Sequence, residues 1–226
     1  MNISEVFNHR ISIVTGHYGT GKTEFAVNLA LELAKSHDNV MIADLDIVNP
    51  YFRSRERKKE FDAVGVKLIS SSQEAAHADI PALPAELFAI FQNRDIRGIL
   101  DIGGDPVGAR VLARFQPQIV KEDYELLFVV NANRPEVRTA DSAIEYLRKI
   151  EDITGLKCSG LVNNSHLCGE TTEAEVRKGA ALAAEISQKT GIPVRCHVAV
   201  ERLAGELADL NEPLFPISIK MKKPWE

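Results

Sequence analysis

Gly16-His17-Tyr18-Gly19-Thr20-Gly21-Lys22-Thr23 follows directly on the apolar run Ile11-Ser12-Ile13-Val14-Thr15 and fits the pattern G-x-x-x-x-G-K-[ST] at every fixed position. The pattern predicts a cradle for phosphate. Glycines let backbone N–H groups converge on phosphate oxygens, the lysine offsets the charge of the β- and γ-phosphates, and the threonine hydroxyl suits Mg²⁺. A helix is expected over residues 24–35, where Phe25, Leu29 and Leu33 recur with Ala26, Ala30 and Ala34 at helical spacing. Its positive end would point at the anion. A glycine-rich turn between strand and helix would account for the glycines but not for Lys22-Thr23. All eight residues of the loop are therefore candidate nucleotide contacts.

Six further β-branched apolar runs, at 40–44, 66–69, 98–102, 125–130, 159–162 and 194–198, alternate with helical stretches at 85–92, 107–115, 136–151 and 172–190. Such alternation predicts a doubly wound α/β fold with a mostly parallel sheet of about seven strands and its ligands at the strands' carboxyl ends, and the loop at 16–23 makes the expected fold that of a P-loop NTPase. No repeat or linker divides the 226 residues, so a single nucleotide-binding domain is expected over 1–226, with the proline-rich stretch 213–226 a peripheral tail.

With 27 basic against 32 acidic residues the formal charge is −5, which gives no basic field for nucleic acid or an anionic membrane. No apolar run approaches the roughly 18 residues of a membrane span, so a cytoplasmic protein is expected. Cys158, Cys168 and Cys196 lack the spacing of a disulfide framework or a zinc site.

Two acidic signatures follow the loop. Asp44 and Asp46 alternate with apolar residues after the second predicted strand, so both face the crevice of the phosphate loop. Carboxylates so placed can hold Mg²⁺ through water and orient an attacking water. The fourth strand ends Asp101-Ile102-Gly103-Gly104, a buried acid followed by two glycines whose backbone can approach the terminal phosphate. Thr23, Asp44 and Asp101 are the candidate metal ligands, and Lys22 and Asp46 the candidate catalytic pair.

These motifs resemble those of the SIMIBI-class P-loop ATPases, the group that includes MinD, ParA, the iron–sulfur scaffold ATPases, dethiobiotin synthetase and the CobQ/CobB enzymes. The group's K-G-G-x-G-K-T aligns with His17 to Thr23, its D-x-D with Asp44-Leu45-Asp46, and its D-x-x-G with Asp101 to Gly104. The resemblance covers nearly the whole chain and implies ATP and ADP as ligands, a homodimer and a protein partner. The group's signature lysine, which reaches across the dimer to the partner's phosphates, falls on His17. His17, Arg53 or Arg55 could supply the missing donor.

The sixth strand ends Asn163-Asn164-Ser165-His166, where guanine-binding relatives place N-K-x-D. The two carboxamides suit the amino group and ring nitrogen of adenine, and residues 198–201 could close over the base. Asn133, Arg134 and Arg138 fall at the carboxyl edge, where they could bind an anion or a partner, although Asn133 before Pro135 also reads as a helix cap. The aperiodic stretch 70–81 is expected to be a long loop near the site. The function expected is that of a slow Mg-dependent ATPase acting as a switch for a protein partner. The alternative is a metabolic enzyme, either a dethiobiotin synthetase- or CobQ-like ligase or a small-molecule kinase.

Overall fold

The computed structural model describes residues 3–46, 57–70 and 86–220. Arg53, Arg55, residues 71–81 of the expected loop and the last six residues lie outside that description. Eight strands form one sheet: β1 (Ile11–Thr15), β2 (Val40–Leu45), β3 (Lys67–Ser70), β4 (Arg97–Ile102), β5 (Tyr124–Val130), β6 (Gly160–Asn163), β7 (Val194–Val200) and β8 (Leu214–Ile217). Their order is β3-β2-β4-β1-β5-β6-β7-β8, and every neighbouring pair is parallel. The winding reverses beside β1, so the loop leaving β1 opens at the point where doubly wound sheets take their ligands.

The helices are α1 (Ile3–Val6), α2 (Lys22–Leu33), α3 (Lys58–Ala63), α4 (Leu87–Gln92), α5 (Pro106–Ala113), α6 (Gln116–Ile119), α7 (Ala140–Thr154) and α8 (Glu173–Thr190). Adjacent residues of β1 serve opposite layers. Val14 packs with Phe25 and Leu29 of α2, while Ile13 packs with Leu100, Leu112 and Phe115 on the other face. A strand buried on both faces needs apolar residues at successive positions, which is how 11–15 reads.

Two boundaries differ from the sequence expectation. The helix expected from 136 begins at Ala140, because Pro135–Val137 forms a 3-10 turn and the Thr139 hydroxyl then accepts the Ser142 N–H at 3.3 Å to start α7. Arg134, not Asn133, stands at the cap of that 3-10 turn. The expected peripheral tail is a correction: residues 214–217 are β8, the edge strand of the sheet. Pro216 is exposed there, and an edge strand is where a residue without an N–H is tolerated. Phe215 and Ile217 point into the core, Phe215 lying edge-on to Phe25 at 6.0 Å between ring centroids.

Candidate functional site

Gly21 precedes α2 with φ 80°, a left-handed conformation that glycine takes without strain, and no side chain caps the helix. The first-turn N–H groups are thus directed into the loop, the arrangement that helix N-termini offer to anions. The His17 carbonyl organises the loop from within. It accepts the Thr20 hydroxyl at 2.9 Å, the Thr20 N–H at 3.3 Å and the Lys22 ammonium at 3.1 Å. The His17 ring lies edge-on to Tyr146 of α7, 4.9 Å between centroids.

The parallel register of β2 and β4 sets Asp44 directly beside Asp101. Asp101 is fully buried, and no donor meets either of its carboxylate oxygens at hydrogen-bonding geometry. Burial, followed by the charge of Asp44, drives its pKa well above the ordinary carboxylate range, while the nearby Thr23 hydroxyl and Lys22 pull it down. Burial lowers the Lys22 pKa against the opposing pull of Asp101, Asp46 and Asp105. Asp46 sits beside the glycine pair, since a Cβ on Gly103 would fall 3.1 Å from its Oδ1. Gly104 presses on the loop itself: a Cβ there would lie 2.7 Å from Lys22 Nζ and 2.8 Å from the Tyr18 nitrogen. Glycine is required at that approach. Tyr146 donates its hydroxyl to the Gly104 carbonyl.

This acidic corner fits Mg²⁺. A buried carboxylate with orphaned oxygens is costly unless a cation meets it. Among the described residues no group of three His, Cys, Asp or Glu is placed to cage a metal. Mg²⁺ characteristically takes one or two carboxylates together with substrate phosphates and water, so a full cage is not needed. Thr23 and the phosphates would be direct ligands, with Asp44 and Asp101 behind them.

From the loop a cavity of about 340 Å³ runs toward the carboxyl ends of β6 and β7. That is within the size range of small-molecule sites. Gly19, Gly21, Lys22, Thr23 and Asp46 line its phosphate end, and Asn164, Val198, Ala199, Val200, Ile217 and Ile219 its far end. The Asn164 amide nitrogen donates to the carbonyls of Thr20 and Gly21, both at 3.1 Å, which fixes its flip and leaves its oxygen as an acceptor. Asn163 is placed elsewhere. Its carboxamide is fully buried, donating to the Val176 carbonyl at 3.0 Å and accepting the Ser165 N–H at 3.1 Å, so it orders the fold beneath the cavity. Successive strand residues face opposite sides, so the two asparagines could not both read one base.

Arg134 lines the cavity and donates from Nε to the Gly19 carbonyl at 2.6 Å. It brings a guanidinium to the phosphate loop from the turn that follows β5. Asn133 instead accepts Lys178 at 3.0 Å. Tyr146, Glu24, Ile217 and Ile219 were not legible as site residues; only β8 and the helix packing bring them there.

No family model and no curated protein matches the chain. Solved structures share its fold. Cell division protein FtsY from Thermotoga maritima is 24% identical with TM-score 0.54, over 81% of this chain and 59% of that one. Chloroplast FtsY from Physcomitrella patens is 15% identical with TM-score 0.55, over 81% and 56%. Signal recognition particle 54 kDa protein from Aeropyrum pernix, solved with GDP, is 20% identical with TM-score 0.50, over 82% and 40%. The chain spans less than two thirds of the length of each. It has the α/β fold of the P-loop NTPases. Among the described residues no helix is long and apolar enough to cross a membrane.

Proposed function

We propose that this protein binds Mg-ATP and hydrolyses it slowly, as a nucleotide-gated switch for a protein partner, in the manner of the MinD/ParA and CobQ/CobB group of SIMIBI-class ATPases. The observation that carries the reading is the juxtaposition of an uncapped helix start and Lys22 with the orphaned carboxylate of Asp101. Lys22 stabilises charge on the transferring phosphoryl group. Asp46, beside Gly103, orients the attacking water. Bound Mg²⁺ would neutralise the phosphate oxygens and relieve the repulsion between Asp44 and Asp101. Arg134, rather than His17, is the cation beside the loop, since the His17 ring is engaged with Tyr146.

Adenine is favoured over guanine by the remaining acceptor of Asn164. Adenine presents an amino donor at position 6, where guanine presents an oxygen. Calorimetry with Mg-ATP and Mg-GTP tests this: ATP is expected to bind tighter by about tenfold or more, the scale of hydrogen-bond mismatch. Equal affinity would overturn the adenine reading. Light scattering with a non-hydrolysable ATP analogue tests the switch, with a dimer expected only in the triphosphate state.

The alternative, a ligase or kinase, draws on a second cavity of about 250 Å³ that shares Arg134, His166 and Cys168 with the first and could hold an acceptor. ATP turnover that requires a small acceptor would favour it.

A further inference from the structure

Beyond β8 the chain continues over the far end of the cavity and is fastened there. The Ser218 carbonyl accepts the Asn28 amide at 3.1 Å, and the Lys220 N–H donates to Glu24 Oε1 at 2.6 Å. Asn28 also donates to Glu24 Oε1 at 3.0 Å, so one carboxylate gathers both. The Ser218 hydroxyl donates to Glu201 Oε1 at 3.2 Å, and the Lys220 ammonium pairs with Glu60 of α3. Residues 218–220 thus form a strap tied to the first turn of α2, to α3 and to the 3-10 turn after β7.

The period of a strand explains what the strap presents. Phe215, Ile217 and Ile219 alternate to one side. The first two complete the core, and Ile219 falls past the core's edge, over the cavity, 47% exposed. With Ile217 and with Val198, Ala199 and Val200 it forms an uncharged wall beyond the phosphate cradle. A flat ring joined to phosphates seated at Lys22 would enter that space with its edge toward Asn164.

We infer that the strap is the base wall of the nucleotide site: Ile219 covers one face of the purine, and the Glu24 clamp holds it in place. The inference rests on the nucleotide reading given above and specifies where the binding selectivity for a base, as opposed to bare phosphate, resides. Ile219 is a specificity-determining residue on this account, and Glu24 and Asn28 are positioning residues.

The experiment compares Mg-ATP with inorganic triphosphate, by calorimetry on the full chain. Wild type is expected to bind ATP more tightly than triphosphate. Ile219→Asp should weaken ATP by about tenfold, the order expected for losing apolar cover from a ring, while triphosphate binding changes less than about twofold. Asn28→Ala, which releases the Ser218 carbonyl, should move ATP in the same direction by about threefold. Ile219→Ala guards against a folding defect: with an unchanged melting temperature it should still lose ATP affinity selectively. Equal loss of both ligands, or loss of neither, would overturn the strap's role. Wild type binding triphosphate as tightly as ATP would overturn the base wall but leave the phosphate cradle standing. Wild type binding neither would overturn the nucleotide reading itself.

Discussion

The two ends of the cavity are built by opposite means. At the phosphate end, residues 16–23 form one continuous loop, and the acids come from two neighbouring strands in register. At the base end, Asn164, Val198–Val200 and Ile217–Lys220 come from three separate strands and their extensions, and the strap is held by side chains of α2 and α3. The phosphate end buries Lys22 among Asp44, Asp46 and Asp101, whereas the base end is apolar and partly open. Phosphate geometry is invariant and demands fixed residue types at fixed spacing. A ring face demands only apolar cover, which many sequences supply.

The largest effect should come from breaking the phosphate end. Lys22→Ala is expected to reduce affinity for ATP and for inorganic triphosphate alike, by about 100-fold or more, because a charge-assisted contact in a buried site is lost. Calorimetry checks this against the strap variants, which should separate the two ligands. If Lys22→Ala spared triphosphate, the contrast between the two ends would collapse.

Asp101 sharpens the contrast through stability. Its folded-state pKa is raised by burial and by Asp44, so the folded protein holds the proton more tightly than the unfolded chain does. Stability from this group is therefore present at low pH and is lost as pH rises from the unfolded value through the folded one. Its ionised form is destabilising in that buried place until a cation meets it. Asp101→Asn should raise the melting temperature of the nucleotide-free protein at pH 7 and flatten its decline above the carboxylate range. The same variant should reduce Mg-dependent ATP turnover by ~100-fold, the scale of one preorganised electrostatic group. A lower melting temperature in scanning calorimetry would refute the penalty.

Much of the architecture was legible because parallel sheets demand long apolar runs separated by helices. The seven expected strands are present, whereas the placement of Asp44 beside Asp101 comes from the β2–β4 register, which strand-end positions alone do not give. The eighth strand was not legible, because Leu214-Phe215-Pro216-Ile217 carries a proline that normally argues against a strand; only its edge position admits it. Asn163 and Asn164 could not be told apart by residue type. The pleat decides, turning one under α8 and the other to the loop. Arg134 was visible as a cation at the carboxyl edge, but its bond to Gly19 depends on the 3-10 turn at Pro135.

Arg134→Ala tests whether that bond serves the phosphate end. The expected loss is about tenfold for ATP, smaller than for Lys22 because the guanidinium is half-buried and partly screened. Loss of triphosphate affinity in the same proportion would assign Arg134 to the phosphates. A change confined to ATP would move it to the base end.

The smallest predicted effect probes whether the loop end distinguishes a triphosphate from a diphosphate. Gly104 lies against Lys22 Nζ, and Tyr146 holds the Gly104 carbonyl while its ring supports His17. Partial burial and Asp105 push the Tyr146 pKa up to about 12, so its hydroxyl remains a donor throughout the working pH range. On the proposed reading, a terminal phosphate at Lys22 would reshape the Gly103-Gly104 segment that lies against it, a change that ADP would not require and that the Tyr146 bond would oppose. Tyr146→Phe should therefore raise the ratio of ATP to ADP affinity by about threefold, the worth of one hydrogen bond, with no dependence on pH between 6 and 9. Parallel titrations of the two nucleotides measure the ratio. An unchanged ratio would mean that the hydroxyl only anchors α7, and that the glycine pair moves, if it moves, without Tyr146.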